Sequence, residues 1–219
     1  MCHNMSTMPS GPLSTSVAAR RQRARLSRER SRARIVAAAT ELVRERSFAE
    51  LGVGAIMERA GLERTIFYRH FNDLADLLLQ TGRKAVDELY ATQVDLSAAR
   101  DGAEPEAVRA AIQPAADIYR RHGPILRVLN EAAAEDEQIA GGQSRIRRRF
   151  DQLVARSLAE LLGLGEAPSP ELLEIARALN LMNESYLLDA FGREPRISVE
   201  VAVDALTEVW VGLIRQLGG

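Results

Sequence analysis

LGVGAIMERAGLERTIFYRHF, residues 51–71, is the stretch whose reading decides the fold. Val53, Ile56 and Ala60 recur at helical spacing, and Leu62 and Phe67 resume the pattern after Gly61. A glycine between two short helical runs is where a tight turn needs a residue free to take the left-handed conformation. The spacing therefore predicts helices over 53–60 and 63–70, crossing at Gly61. Val53, Ile56, Ala60, Leu62 and Phe67 turn inward and fix the crossing angle. Arg64, Thr65, Tyr68 and Arg69 turn outward, with His70 closing the second run. Guanidinium groups placed this way reach guanine edges in a major groove, while tyrosine and histidine suit phosphate oxygens.

Working outward, Ile35, Ala39 and Leu42 repeat at helical spacing beside Val36 and Val43, which predicts a helix from about residue 32. Ahead of it stand Ser, Pro, Gly and Thr, then Arg20, Arg21, Arg23, Arg25, Arg28 and Arg30. Apolar residues are too sparse there to offset ordering entropy, so residues 1–30 read as a disordered basic arm. Downstream, Asn72 or Asp73 caps a helix that runs through Leu77, Leu78 and Leu79 towards Leu89. A polar break follows from Asp95 to Pro105, and Pro114 is expected to kink the helix after it. Further helices are predicted over about 124–136 and 145–163. Ser169-Pro170-Glu171 opens another that reaches about Phe191, and a last one runs from near Ser198 to Gly218. No segment alternates as a strand and no repeat is present. The fold class is all-α, with about nine helices. A helix-turn-helix unit is predicted over residues 31–76 and a C-terminal helical domain over 77–219.

The net charge of −1 is unevenly spread. Residues 1–82 carry 13 Arg against 8 Asp or Glu, while residues 83–219 carry 16 Arg or Lys against 22 acids. A basic N-terminal third on an acidic remainder points to a polyanion partner for the first part only. No apolar run approaches the roughly 18–20 residues that span a bilayer. With Cys2 as the only cysteine, no internal disulfide is possible and a cytoplasmic location is expected. His3, His70 and His122 show no metal-ligand spacing, and neither a phosphate loop nor a nucleophile elbow appears. No catalysis, metal or cofactor is therefore expected. Glu135-Asp136-Glu137 and the run Arg145, Arg147, Arg148, Arg149 read as a solvated helix end and start.

Gly61, Leu62, Phe67, Tyr68, His70 and Phe71 resemble the signature of the TetR family of bacterial transcription regulators, Gly-apolar-Ser-x-x-x-apolar-Tyr-x-His-Phe. The resemblance implies that Arg64, Thr65 and Arg69 face base edges of a near-palindromic duplex operator, and that Tyr68 and His70 hold its backbone. Three positions depart from the pattern. Gly52 replaces a capping Ser or Thr, Glu63 replaces a Ser near the phosphates, and Leu74 replaces a lysine that touches DNA. The N-terminal arginines are expected to offset the loss by contacting phosphates or the minor groove. Deleting residues 1–30 should then flatten the salt dependence by about 0.9 in log–log slope per lost phosphate contact.

The stretches ALNLMNESYLLDAFG (178–192) and AVDALTEVWVGLI (202–214) look like the EthR-like, ethionamide-resistance-repressor subgroup of that family. The subgroup encloses a long, mainly apolar tunnel in each subunit. By that resemblance Asn183 matches a ligand-bonding asparagine, Asn180 its neighbour, and Trp210 a pocket tryptophan. Tyr119 and Phe150 approximately match aromatic pocket positions. Tyr186 shares a helical stripe with Leu172, Ala176, Leu179 and Asn183 and joins the candidate ligand-binding residues. The last two helices are expected to pair with their copies in a homodimer, which sets two reading helices on successive grooves. The expected function is a repressor released from its operator by an apolar small molecule in the C-terminal domain, DNA and ligand opposing each other's binding. Two rivals remain. An enzyme would be revealed by turnover, and an interaction protein without DNA binding by lack of sequence-specific affinity at physiological salt.

Overall fold

A computed structural model of the chain describes residues 13–99, 104–165 and 167–218. They form eight α-helices and one short 3-10 turn, with no strand among the described residues. The helices are α1 (Leu13–Glu45), α2 (Val53–Ala60), α3 (Arg64–Phe67), α4 (Leu74–Ala91), α5 (Glu104–Ala132), α6 (Glu137–Leu161), α7 (Pro170–Phe191) and α8 (Val199–Gly218). The expectation of an all-α fold with a helix-turn-helix at the N-terminus holds.

The basic arm needs correction. Residues 13–30, read as disordered, continue α1 without a break, and residues 1–12 lie outside the described residues. Sparse apolar residues made the arm look unfoldable on its own. It does not start alone, because Ile35, Ala38, Ala39, Leu42 and Val43 are buried further along the same helix. Extending a nucleated helix is far easier than starting one, and Ala, Arg and Leu are good helix formers. Arg25 and Glu29, one turn apart, add a pair at 3.5 Å.

The caps follow the sequence closely. Asp73 accepts from the Asp76 amide at 2.7 Å and starts α4, while Ser169 does the same for α7 ahead of Pro170. Asp136 accepts from the Ile139 amide at 2.9 Å, so α6 begins at Glu137, earlier than the expected 145. The largest regrouping concerns α5, a single helix that carries both Pro114 and Pro124 in place of separate helices on either side. Each proline removes one backbone hydrogen bond. α5 survives this because it is the central strut of the molecule, packed against α1, α4, α6, α7 and α8. At Gly123 it passes so close to the end of α7 that an added Cβ would stand 2.0 Å from the Phe191 carbonyl oxygen.

Two apolar clusters share this strut. One gathers α1 to α4 around Ile56, Phe67, Leu77 and Leu78, and is completed by Ile125, Val128 and Leu129 of α5. The other fills the C-terminal body around Ala116, Leu158, Ala176, Phe191 and Trp210. α4 contributes to both, Leu77 and Leu78 to the first and Ala85 and Leu89 to the second. The two units therefore meet inside α4 and along α5, across the boundary expected at residues 76 and 77.

Candidate nucleic-acid interface and ligand cavity

Gly61 ends α2 at φ 61°, and its amide donates to the Glu58 and Met57 carbonyls. That turn swings the chain into α3. Phe67 is fully buried and holds the segment down, flanked by Tyr68 at 5.3 Å edge-on and Phe71 at 5.5 Å. The helix proper covers Arg64–Phe67, shorter than the expected 63–70, and the turns continue through Arg69, His70 and Phe71 on bonds to Ile66 and Phe67. Arg64, Thr65, Tyr68 and Arg69 are all exposed, Tyr68 at 58%. An exposed tyrosine of this size beside two arginines is a surface built for contact.

α1 is sewn to this segment. Arg28 donates to the Arg69 carbonyl at 3.0 Å, Arg34 to the Gly61 carbonyl at 3.2 Å, and Ser31 Oγ lies 2.8 Å from His70 Nε2. Arg32 lies 5.6 Å over the Phe71 ring and donates to Gln80. Burial, then the charges of Arg28, Arg32 and Arg69, hold the His70 imidazole below its ordinary range. The family departures have local explanations. Leu74 packs against the cluster of the reading unit, and Glu63 takes the extended N-cap position of α3 without a side-chain cap bond.

A cavity of about 120 Å³ lies between α4, α5, α6, α7 and α8. That is close to the roughly 150 Å³ that admits a benzene-sized guest in an apolar core. Five of the expected residues border it: Asn180, Asn183, Tyr119, Phe150 and Trp210. Tyr186 does not, and only packs partly buried against the core. Helical spacing put it near Asn183, three residues on and about 60° around α7. Ala115 lines the wall as well.

Most polar groups of the cavity are paired. Trp210 Nε1 donates to Asn183 Oδ1 at 3.1 Å, and the Asn183 amide makes no other hydrogen bond among the described residues. Asn180 donates to Asp151 at 2.9 Å. Sequence reasoning missed Arg147 and Glu184, which line the cavity as a forked ion pair at 2.7 and 2.9 Å. Glu184 raises the Arg147 pKa through that fork. Burial, with Glu184 adding to it and Arg147 opposing, pushes the Tyr119 hydroxyl well above its ordinary range, so it stays neutral. The run 145–149 gave no sign of this, because the partner of Arg147 sits on another helix. Arg149 is likewise not simply solvated, and donates to the Tyr90 carbonyl at 2.7 Å.

A second missed residue joins the two units. Arg127, only 8% exposed, donates to the carbonyls of Gly192 at 2.9 Å, Val43 at 2.8 Å and Arg46 at 2.8 Å, and pairs with Glu131 at 2.5 Å. Glu131 in turn accepts from the Phe48 amide at 2.7 Å. One guanidinium thus ties the end of α7 to the end of α1. Among the described residues no cluster of three or more His, Cys, Asp or Glu is placed to hold a metal ion. No described helix is long and apolar enough to cross a membrane.

Comparison with known proteins matches both halves. The family model for bacterial regulatory proteins of the tetR family covers residues 35–81, and that for the C-terminal domain of the transcriptional regulator EthR covers residues 108–215. The HTH-type transcriptional regulator EthR of Mycolicibacterium smegmatis is 28% identical over 200 residues, 89% of this chain and 90% of that protein. EthR of Mycobacterium tuberculosis is 27% identical over 180 residues, 81% of this chain and 83% of that protein. Among solved structures, the TetR-family regulator PfmR of Thermus thermophilus is similar with a TM-score of 0.63 at 17% identity, covering 81% of this chain and 97% of that one. A TetR-like regulator of a Rhodococcus species gives 0.62 at 20% identity over 84% and 95%.

Proposed function

The chain belongs to the TetR family of bacterial regulatory proteins, with an EthR-like C-terminal domain, and from that premise we propose that it is a homodimeric repressor released from a near-palindromic operator by an apolar small molecule. In this reading Arg64, Thr65 and Arg69 read base edges, and Tyr68 and His70 hold phosphates. The ligand enters the cavity beside Asn183, whose free amide hydrogens meet an acceptor on an otherwise apolar body. Asn180, Tyr119, Phe150 and Trp210 form the surrounding wall. The function is regulatory and assigns no catalysis to the chain, and the cytoplasm is the compartment it implies.

The observation that carries the reading is Arg127. A ligand longer than a benzene-sized group has to part the walls of a cavity of about 120 Å³, and α5 and α7 are two of those walls. Their far ends meet at Arg127 and Gly192, where the same guanidinium holds Val43 and Arg46 of the reading unit. Displacement of α7 against α5 is thereby passed to α1, and the spacing of two reading segments in a dimer changes. A coupling of about 1–3 kcal/mol between ligand and DNA is typical of such a device.

The test is fluorescence anisotropy against duplexes tiled over the DNA upstream of the protein's own gene, beside a random duplex. Preference for one tile by about a thousandfold supports a sequence-specific regulator. Apolar compounds that raise the Tm and weaken that complex then support release. Equal, weak binding to every duplex overturns the reading.

A further inference from the structure

The N-terminal half of α1 buries no apolar side chain among the described residues, and its ties to the rest of the fold are polar bonds near its end, from Arg28 and Ser31. From residue 17 to residue 34 every side chain is exposed except the half-buried Ser31. A helix that is polar all round, with no apolar stripe, gains no stability from a core. This stretch carries eight arginines and one acid, Glu29. Arg21 and Arg25, Arg28 and Arg32, and Arg30 and Arg34 each stand one turn apart, where like charges destabilise a helix. Arg20, Arg21, Arg23 and Arg30 have no carboxylate partner among the described residues. Fold stability gives no reason for such a row of unpaired cations. A polyanion does.

The row is held in a fixed place. The bonds from Arg28 to Arg69 and from Ser31 to His70 fasten α1 to the segment that carries Arg64 and Thr65. Between the two runs lies a groove of about 1010 Å³, floored by Leu62 and Ile66. Arg23, Arg30 and Arg34 line its α1 wall, and at about 100° per residue their spacings of seven and four put them within roughly 40° of one another. Arg69 and His70 line the opposite wall. Burial first, and then the charges of Arg28, Arg32 and Arg69 around this wall, hold His70 below its ordinary range.

We propose that residues 17–34 of α1 are a second DNA-contacting element, which with the Arg69–His70 wall clasps one phosphodiester strand beside the groove that Arg64 and Thr65 read. The inference rests on the DNA-binding reading above and adds to it a helical partner surface. Helicity also decides between the two modes of contact expected for a basic arm. An α-helix is about 10–12 Å across with its side chains, and the minor groove is about 6 Å wide, so this segment meets phosphates from outside rather than entering the groove. From Arg20 to Arg34 it extends over about 21 Å, enough for several phosphates along one strand.

The test compares the full chain with the double variants Arg23→Ala/Arg30→Ala and Arg23→Lys/Arg30→Lys. Neither arginine holds another part of the fold, and far-UV circular dichroism verifies that the variants remain helical. Each is titrated against the preferred upstream duplex and a random duplex across a range of salt. The alanine pair is expected to lower the log–log salt slope by about 1.8, two contacts at about 0.9 each, equally on both duplexes. The preference for the upstream duplex is expected to persist, and the lysine pair to keep the full slope. An unchanged slope in the alanine pair, with wild-type preference intact, overturns this inference and leaves the DNA reading standing. If wild type shows no preference for any duplex, the DNA reading falls and the inference with it. Loss of binding to vesicles of phosphatidylglycerol and phosphatidylcholine, with the DNA slope unchanged, assigns the row to a membrane surface and also overturns the proposal.

Discussion

Asn183 holds Trp210 in the structure, and that contact is testable apart from the ligand contact proposed for its amide. Its Oδ1 is the acceptor for the indole of Trp210, a side chain only 2% exposed. Asn183→Leu leaves that N–H without an acceptor, and a lost buried partner of this kind costs about 1–3 kcal/mol. Trp210→Phe removes the donor as well, so in the double variant the penalty largely disappears, and a urea-unfolding double-mutant cycle measures the difference. Additive single effects would detach the pair from stability. His70 carries a second prediction at this scale. Because its folded pKa lies below the ordinary 6.5, folded His70 binds a proton less readily than unfolded His70. Its contribution to stability is complete above about pH 6.5 and is lost as the pH falls from there through the lower folded value. A phosphate oxygen at the ring acts in the opposite sense, so DNA affinity rises over the same fall in pH. His70→Gln flattens both profiles, and a DNA profile that keeps its slope removes His70 from backbone contact. The residues behind these predictions were legible because Gly61, Phe67 and the outward arginines lie within one local pattern, and because Asn183 and Trp210 sit in family-like stretches. Arg147 and Arg127 were not. Their partners stand 37 residues away at Glu184 and 84 away at Val43, and no periodicity records such a pairing.

At the scale of elements, legibility followed local chemistry. Ser169-Pro170 and Asp73 fixed helix starts because a cap acts on amides two or three residues away. The fate of the two prolines in α5 depended on the neighbours that grip it, and the order of residues 13–30 depended on a core that begins only at Ile35. These are tertiary facts, and local reading divided α5 and unfolded the arm for that reason. The element-scale prediction concerns the junction of α1, α5 and α7. Arg127→Lys keeps the charge and the pairing with Glu131 but loses the planar fork that serves three carbonyls at once. The variant is expected to bind operator and to bind a stabilising apolar compound, each close to wild type. What it loses is their antagonism, with the coupling falling from about 1–3 kcal/mol towards zero. Operator titrations with and without saturating compound give that coupling directly. Full antagonism in the lysine variant would move the route between the units away from Arg127.

For the whole molecule the open question is what covers the outer faces of α7 and α8. Leu181 is 44% exposed, Val201 53% and Val209 50%, although both helices are otherwise among the most apolar in the chain. Along α8 the exposed positions Val201, Ala205, Val209 and Gly212 follow helical spacing, and a Cβ added at Gly212 would meet nothing within 4 Å. A stripe of small and branched side chains is what a second helix needs for close approach. Two copies joined there would place two reading segments on one duplex, where half-sites recur about every 34–36 Å. In the proposed dimer, affinity comes from binding both half-sites at once, a gain of about 10²–10⁴ over one. Val209→Glu sets two carboxylates against each other across the two-fold axis without disturbing the core, since the side chain already faces outward. Sedimentation equilibrium should find the variant monomeric with its circular dichroism unchanged. Its affinity for the two-site operator should fall by about 10²–10⁴ while its weak binding to a single half-site stays the same. A variant that remains dimeric would place the interface on another face, and one that becomes monomeric yet keeps full operator affinity would show that a single reading unit with its basic helix is sufficient.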